Sequence, residues 1–196
     1  MATLFDDILV RGVRAGQIPA RTQQSRDWFR DVARGVAKSK ADPTKILRGY
    51  ENKKSRPLIG RMYHFFYDPK GKKTLPYYDR FPLIFMVGPA SDGFYGINLH
   101  YLPPTLRARL MDSLYDVTNN TKYDDSTRLR LSYNILSGAA RFKFFKPTFK
   151  HYLADHVGSR FIEINSTEWD IALMLPTQRF EKASAAKVYS DSRKKI

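Results

Sequence analysis

Over the first fifty residues apolar positions return every three or four places, the period of a helix with one buried side. Leu4, Phe5, Ile8, Leu9 and Val13 share such a side. Thr3 is placed to cap it, with Asp6 and Asp7 in the first turn, where unpaired amides favour carboxylates. Gly16 and then Ile18-Pro19 end it, because proline holds the residue before it in extended conformations. Thr22 opens a second predicted helix, with Trp28, Phe29, Val32 and Val36 on one face and arginines on the other. Asp42-Pro43 supplies an N-cap and a proline at the first helical position, starting a short third helix through Leu47. Asn52 to Arg56 reads as a basic linker. The whole reads as an arm of helices too short to bury much alone.

The period then drops to two. Gly60–Asp68 alternates and Asp68-Pro69-Lys70-Gly71 is a turn signal. Phe81–Val87 is an almost unbroken apolar run whose Pro82 suits a strand start or an edge. Asp92-Gly93 turns the chain into Phe94–Leu102. Three strands with two short connections predict an antiparallel meander, a small curved or SH3-like sheet. Eleven aromatics lie between Tyr63 and Tyr101. Such rings stack bases in some RNA-binding sheets, which singles out Tyr63, Phe65 and Tyr67. The competing reading is core and cross-strand packing.

Helical spacing resumes after Pro103-Pro104, with Leu106, Leu110, Met111, Leu114 and Val117 on one side and Asn119-Asn120 as the stop. Asp125 or Ser126 caps a further helix carrying Leu129, Tyr133, Leu136 and Ala140. Pro147 is read as starting another, with Phe149, Tyr152, Leu153 and Val157 on its face and Gly158 past its end. Arg160–Asn165 predicts a fourth strand. Asn165 and Glu168 have capping-box spacing before the apolar element Trp169–Leu175, which Pro176 closes. Ala183–Lys195 is a polar, partly helical tail. The fold class expected is α+β: a basic helical arm (1–56), a core domain with a small antiparallel sheet and C-terminal helices packed around it (57–182), and a basic tail (183–196).

Charge changes this picture most. The 196 residues carry 34 Lys+Arg against 19 Asp+Glu, a formal net charge of +15, and a chain so basic usually meets a polyanion or an acidic protein. Between Arg11 and Arg56 thirteen basic residues face four acids, a net +9. The candidate phosphate contacts are Arg21, Arg26, Arg30, Arg34, Lys38, Lys40, Lys53, Lys54 and Arg56, chosen for charge rather than geometry. Ser192 to Lys195 adds a smaller basic patch. There are no cysteines, which removes thiolate chemistry and fits a reducing compartment. No stretch approaches the roughly 18 apolar residues of a membrane span, and the N-terminus lacks the basic start of a secretory signal.

The chain is thin in catalytic signals. His151 and His156 are five apart and fit no metal motif; His64 and His100 fall on different strands. No phosphate-binding glycine loop or nucleophile elbow is present. A metal-dependent nuclease of one common kind needs an Asp and then Glu-x-Lys on a strand, but Glu163-Ile164-Asn165 has asparagine in the lysine's place. The expectation is a protein without cofactor, metal or catalytic residues.

Three blocks carry a family likeness. They are Tyr67-Asp-Pro-Lys-Gly-Lys-Lys-Thr-Leu-Pro-Tyr-Tyr-Asp-Arg-Phe-Pro-Leu83, Gly93-Phe-Tyr-Gly-Ile-Asn-Leu-His-Tyr-Leu-Pro103, and Arg107-Ala-Arg-Leu-Met-Asp112. With Gln17–Phe29 and Glu168–Lys182 they cover most of the chain. The sequence resembles virion proteins of T-even-like myophages, those of the DNA end protector family. The resemblance implies a structural protein made in the host cytoplasm and carried in the virion at or near the head–tail vertex. There it would cap the ends of packaged double-stranded DNA against exonucleases, beside other virion proteins and with no membrane partner. It transfers no catalytic residue. The alternative is a neck, tail or baseplate subunit whose basic surface meets acidic protein neighbours without DNA.

Overall fold

A computed structural model describes residues 3–118 and 146–194, with 122, 124, 127, 131, 132, 134–136 and 138 between them. Helices α1 (Leu4–Arg14), α2 (Gln23–Arg34) and α3 (Pro43–Gly49) begin where local chemistry starts them. Thr3 and Asp6 form a reciprocal capping box, Thr22 accepts from the Ser25 amide, and Asp42 accepts from the Thr44 amide ahead of Pro43. Gly16, after α1, has φ +74°, a conformation that disfavours a side chain.

The sheet strands are β1 (Lys53–Lys54), β2 (Met62–His64), β4 (Leu83–Ala90), β5 (Gly93–Asn98), β6 (Phe149–Leu153) and β7 (Phe161–Ile164). They form one antiparallel sheet in the order β1-β7-β2-β4-β5-β6. A second, two-stranded sheet pairs β3 (Tyr78–Asp79) with β8 (Phe180–Glu181). Helix α4 (Pro104–Thr118), α5 (Trp169–Met174) and α6 (Ala185–Lys194) complete the α+β fold. The meander β2-β4-β5 and the added strand β7 follow the alternation in the sequence. Asn165 and Glu168 make the expected capping box ahead of α5.

Each face of the six-stranded sheet is covered. On one, Met62, Phe85, Ile97, Ile162 and Ile164 pack with Phe5, Ile8, Phe29, Ala33, Ile46 and Tyr50 of the N-terminal helices and with Leu110, Met111, Leu114 and all of α5 except Asp170. The N-terminal helices thus share the core of the sheet instead of standing off it. On the other, Tyr63, Phe65, Tyr67, Ile84, Met86, Phe94, Tyr152 and Phe161 form an aromatic layer. The rings of Phe65 and Phe161 meet at 4.9 Å, edge to face.

Two elements depart from the sequence expectation. Phe149–Leu153 is a strand, entered from a 3-10 turn at Lys146–Thr148, and not a helix. The open edge of β5 decides this. Tyr95 stacks on Phe149 with centroids 5.4 Å apart and rings within 11° of parallel. A Cβ on Gly93 would sit 1.9 Å from the Tyr152 carbonyl oxygen, so glycine is what lets the strands approach. The Asn52–Arg56 linker contains β1, whose lysines pair in register with Ile162 and Phe161. The helix stop at Asn119-Asn120, the cap at Asp125 or Ser126, Leu129, Tyr133 and Ala140 lie outside the described residues.

Candidate nucleic-acid interface

Of the thirteen basic residues between Arg11 and Arg56, eleven are exposed and two are not. The two are Arg26 and Arg30, 8% and 2% exposed. Helix α2 packs against both α1 and α5, so the flanks beside Phe29 that carry Arg26 and Arg30 face protein, while Gln24, Asp27, Asp31 and Arg34 on the far side face water. Arg30 Nε donates to Asp170 Oδ1 at 2.6 Å, and its Nη2 donates to Asp112 Oδ1 at 2.7 Å. Arg26 Nε lies 3.3 Å from Asp112 Oδ1, and its guanidinium sits over the Tyr115 ring at 5.1 Å. Burial alone would lower the Arg30 pKa; the hydrogen bonds and charges of Asp112 and Asp170 outweigh it, and the guanidinium is raised above its ordinary value. These two arginines, expected as phosphate contacts, are buried here and engaged with Asp112 and Asp170, holding helices together.

The other candidates are at the surface. Lys40 lies beside Lys45 on a cleft that they share with Thr3, Phe5 and Gly49. Arg48 is one helical turn on from Lys45, and Lys53 Nζ donates to the Arg48 carbonyl at 2.9 Å. Lys54 continues the run in β1, and Arg56 follows two residues after the strand. The β1–β7 pairing also brings Arg160, exposed and adjacent to Phe161, to the side of Lys54. Among the described residues none of Lys38, Lys40, Lys45, Arg48, Lys54 and Arg56 has a carboxylate within ion-pair distance. Arg34 is exposed and engaged with Asp31 at 3.3 Å. Arg21 is exposed in the turn before α2, apart from this run.

Lys45 and Arg48 carry a signal in the sequence, since both belong to the +9 segment. Arg160 carries none, because only the strand pairing places it there. Lysines on an edge strand also block edge-to-edge pairing with another sheet, so Lys53 and Lys54 have a second use.

The aromatic layer is closed to bases. Tyr63 and Phe65 are fully buried and Tyr67 is 7% exposed, so their rings are core.

A polar group at the end of the sheet has the order of a hydroxyl–imidazole–carboxylate relay. His100 Nδ1 is 2.6 Å from Asp79 Oδ2, and Thr177 Oγ1 is 3.2 Å from His100 Nε2. Burial alone would raise the Asp79 carboxyl, but His100 and the amides of Arg179 and Phe81 hold it below its ordinary value. Burial pushes His100 down against the pull of Asp79. The pair is therefore a carboxylate accepting from a neutral imidazole, whose Nε2 accepts the Thr177 hydroxyl. Thr177 is 4% exposed and His100 is 0% exposed. With His100 and Thr177 closed to solvent, the group works as a clamp: it ties Asp79 in β3 to the segment after α5. Nearby, Arg107 donates to the carbonyls of Leu102, Leu173 and His100 and to the Tyr189 hydroxyl, fixing α4 to α6.

Among the described residues no three His, Asp or Glu side chains are placed to hold a metal, and no helix is long and apolar enough to cross a membrane. The model of a protein family described as the phage T4 terminal DNA protecting protein matches residues 5–195. No curated protein and no solved structure matches the chain.

Proposed function

The chain belongs to the phage T4 terminal DNA protecting protein family, and from that premise we propose that it holds the ends of packaged double-stranded DNA by charge and shields them by occupancy, without catalysis. The observation that carries this reading is the run Lys40, Lys45, Arg48, Lys53, Lys54 and Arg56. It is exposed, largely free of carboxylates, and mounted on or beside α3, which shares the core through Ile46, and β1, which pairs with β7. Such an array neutralises phosphates without reading base edges, so affinity falls steeply with salt and little with sequence. Exposed Lys38, Arg34 and Arg21 add positive charge outside this run. Carried in the virion after synthesis in the host cytoplasm, a protein of this kind belongs where the genome terminus sits, at the head–tail vertex.

The test is fluorescence anisotropy with a labelled linear duplex, competed by unlabelled linear or relaxed circular DNA at low and physiological salt. Salt-sensitive binding that linear DNA competes better supports end protection. Equal competition reduces the surface to general DNA affinity, and no binding at physiological salt overturns the reading.

One observation favours a second reading. Val13, expected on the buried side of α1, is 66% exposed, and Val10 of α1 and Ile18 after it are 48% and 50% exposed, apolar side chains that a protein neighbour would cover. A neck, tail or baseplate subunit would be such a neighbour. That reading predicts stable complexes with other virion proteins that form in moderate salt without DNA.

A further inference from the structure

A pocket of about 310 Å³ opens between the turn at Pro69–Leu75 and the β5–β6 end of the sheet. Tyr77, Tyr78 and Tyr101 line it together with Lys70, Lys150, His151 and the buried Asp79, whose carboxylate is already held by His100, Asn98 and the amides of Phe81 and Arg179. Tyr77 and Tyr101 have centroids 6.2 Å apart with rings 37° from parallel, so they do not stack on each other. The Lys150 ammonium lies 4.0 Å from the Tyr101 centroid, and Lys70 and His151 are exposed at the rim. The turn that forms one wall is pinned: Lys182 Nζ donates to the carbonyls of Lys72, Lys73 and Leu75 at 2.6, 3.0 and 3.0 Å.

Aromatic faces beside cations are what a nucleotide needs, a flat surface for the base and positive charge for its phosphate. The volume is at the small end of ligand sites and admits one nucleotide, not a duplex whose major groove alone is about 12 Å wide. Two other clefts carry more carboxylates. The larger one, about 880 Å³, has Asp92 and Asp155 beside Arg56, and the smaller is lined by Asp6, Glu51 and Glu168.

We propose that this pocket takes the terminal nucleotide of a DNA strand, its base against Tyr77 and Tyr78 and its phosphate against Lys70 and Lys150. The inference rests on the reading that the protein holds DNA ends and names what distinguishes an end. An interior base is paired and stacked on both sides, and removing it costs a few kcal/mol. A terminal base has one neighbour only and leaves the stack more cheaply. The arm supplies affinity for any duplex, and the pocket adds the preference for termini.

The experiment uses the full chain. The ratio of affinities for a linear duplex and a relaxed circle is measured in the parent, in Tyr77→Ala and in Lys70→Glu. Lys70 is exposed in a turn, so its variant keeps the fold if the half-buried Tyr77 does not. Stacking is worth roughly 5- to 150-fold by alanine substitution, and the linear-over-circular ratio should fall by that order in Tyr77→Ala while binding to the circle is kept. A ratio unchanged in both variants overturns the proposal. If the parent binds neither DNA, the DNA-end reading fails by itself. The pocket is then judged by tyrosine fluorescence titration with deoxyadenosine monophosphate: quenching lost in Lys70→Glu sustains nucleotide binding, and no quenching overturns it. Deoxyadenosine monophosphate that binds but is not displaced by linear duplex assigns the pocket to free nucleotides and overturns its role at ends.

Discussion

Arg30 of α2 and Asp170 of α5, 140 residues apart in sequence, meet at 2.6 Å with each side chain 3% exposed. The pair joins the basic N-terminal segment to the short apolar element on which the sheet rests. A charge read from the sequence as free for a partner is already spent inside the protein. Breaking such a pair strands the other charge, and Arg30→Ala should therefore lose about 3–5 kcal/mol of stability. Arg34→Ala, one turn on and exposed, should stay within about 0.5 kcal/mol. Urea unfolding followed by tryptophan fluorescence separates the two; equal midpoints would mean that the pair contributes nothing.

Charge reversal at Lys40, Lys45, Lys54 and Arg56 should behave in the opposite way. The unfolding midpoint stays near that of the parent, because these side chains are exposed and without carboxylate partners among the described residues. The slope of log affinity against log salt becomes shallower by about 0.9 for each phosphate contact removed. Anisotropy at four or five salt concentrations reads this directly.

Stability should depend on pH through His64. Burial and the neighbouring His100 push this imidazole down to about 4. Its Nδ1–H donates to the Pro82 carbonyl at 2.9 Å, while Nε2 is buried without a partner. The unfolded chain takes up a proton near pH 6.5, while the folded chain resists until about pH 4. Stability is therefore full above pH 6.5 and is lost as pH falls toward 4, by roughly 3 kcal/mol for this group. His64→Phe should flatten the dependence in that window, as followed by thermal melting between pH 7 and 4.5. A steep fall in the variant equal to the parent's would assign the effect elsewhere.

Gly93→Ala tests the seam between β5 and β6. The added methyl meets the backbone of Tyr152, which cannot rotate away, so the strand must shift. Overpacking of this sort costs about 1–3 kcal/mol. Hydrogen exchange should rise first at the amides of Phe149–Leu153. Since Lys150 and His151 sit on that strand, the preference for linear DNA should weaken too.

What was legible in the sequence was what local chemistry decides. Thr3, Thr22 and Asp42 start helices because a cap needs only its own next three residues, and Pro104–Thr118 announces itself by spacing alone. The misread strand shows the opposite case. Phe149, Tyr152, Leu153 and Val157 satisfy a helical period, but the partner that wins is an edge some fifty residues earlier, shaped by two glycines. Arg26 and Arg30 were opaque for a similar reason. Their carboxylates come from Asp112 and Asp170, and the one sign was an aspartate inside the apolar run Trp169–Met174, which needs a cation if it is to be buried. Of the surface candidates, the lysines were legible as charge, whereas the company of Arg160 was fixed only by strand pairing.

The N-terminal helices share their core with the sheet, and that sets the thermodynamics of any partner they meet. A tethered, unfolded basic segment would have to order itself on DNA, burying apolar surface and leaving a large negative heat-capacity change. Here the ordering is complete before contact: Phe5, Ile8, Phe29 and Tyr50 are already out of water. Association is then mainly an exchange of small cations for fixed ammonium and guanidinium groups, and calorimetry across a range of temperatures should return an enthalpy that scarcely changes.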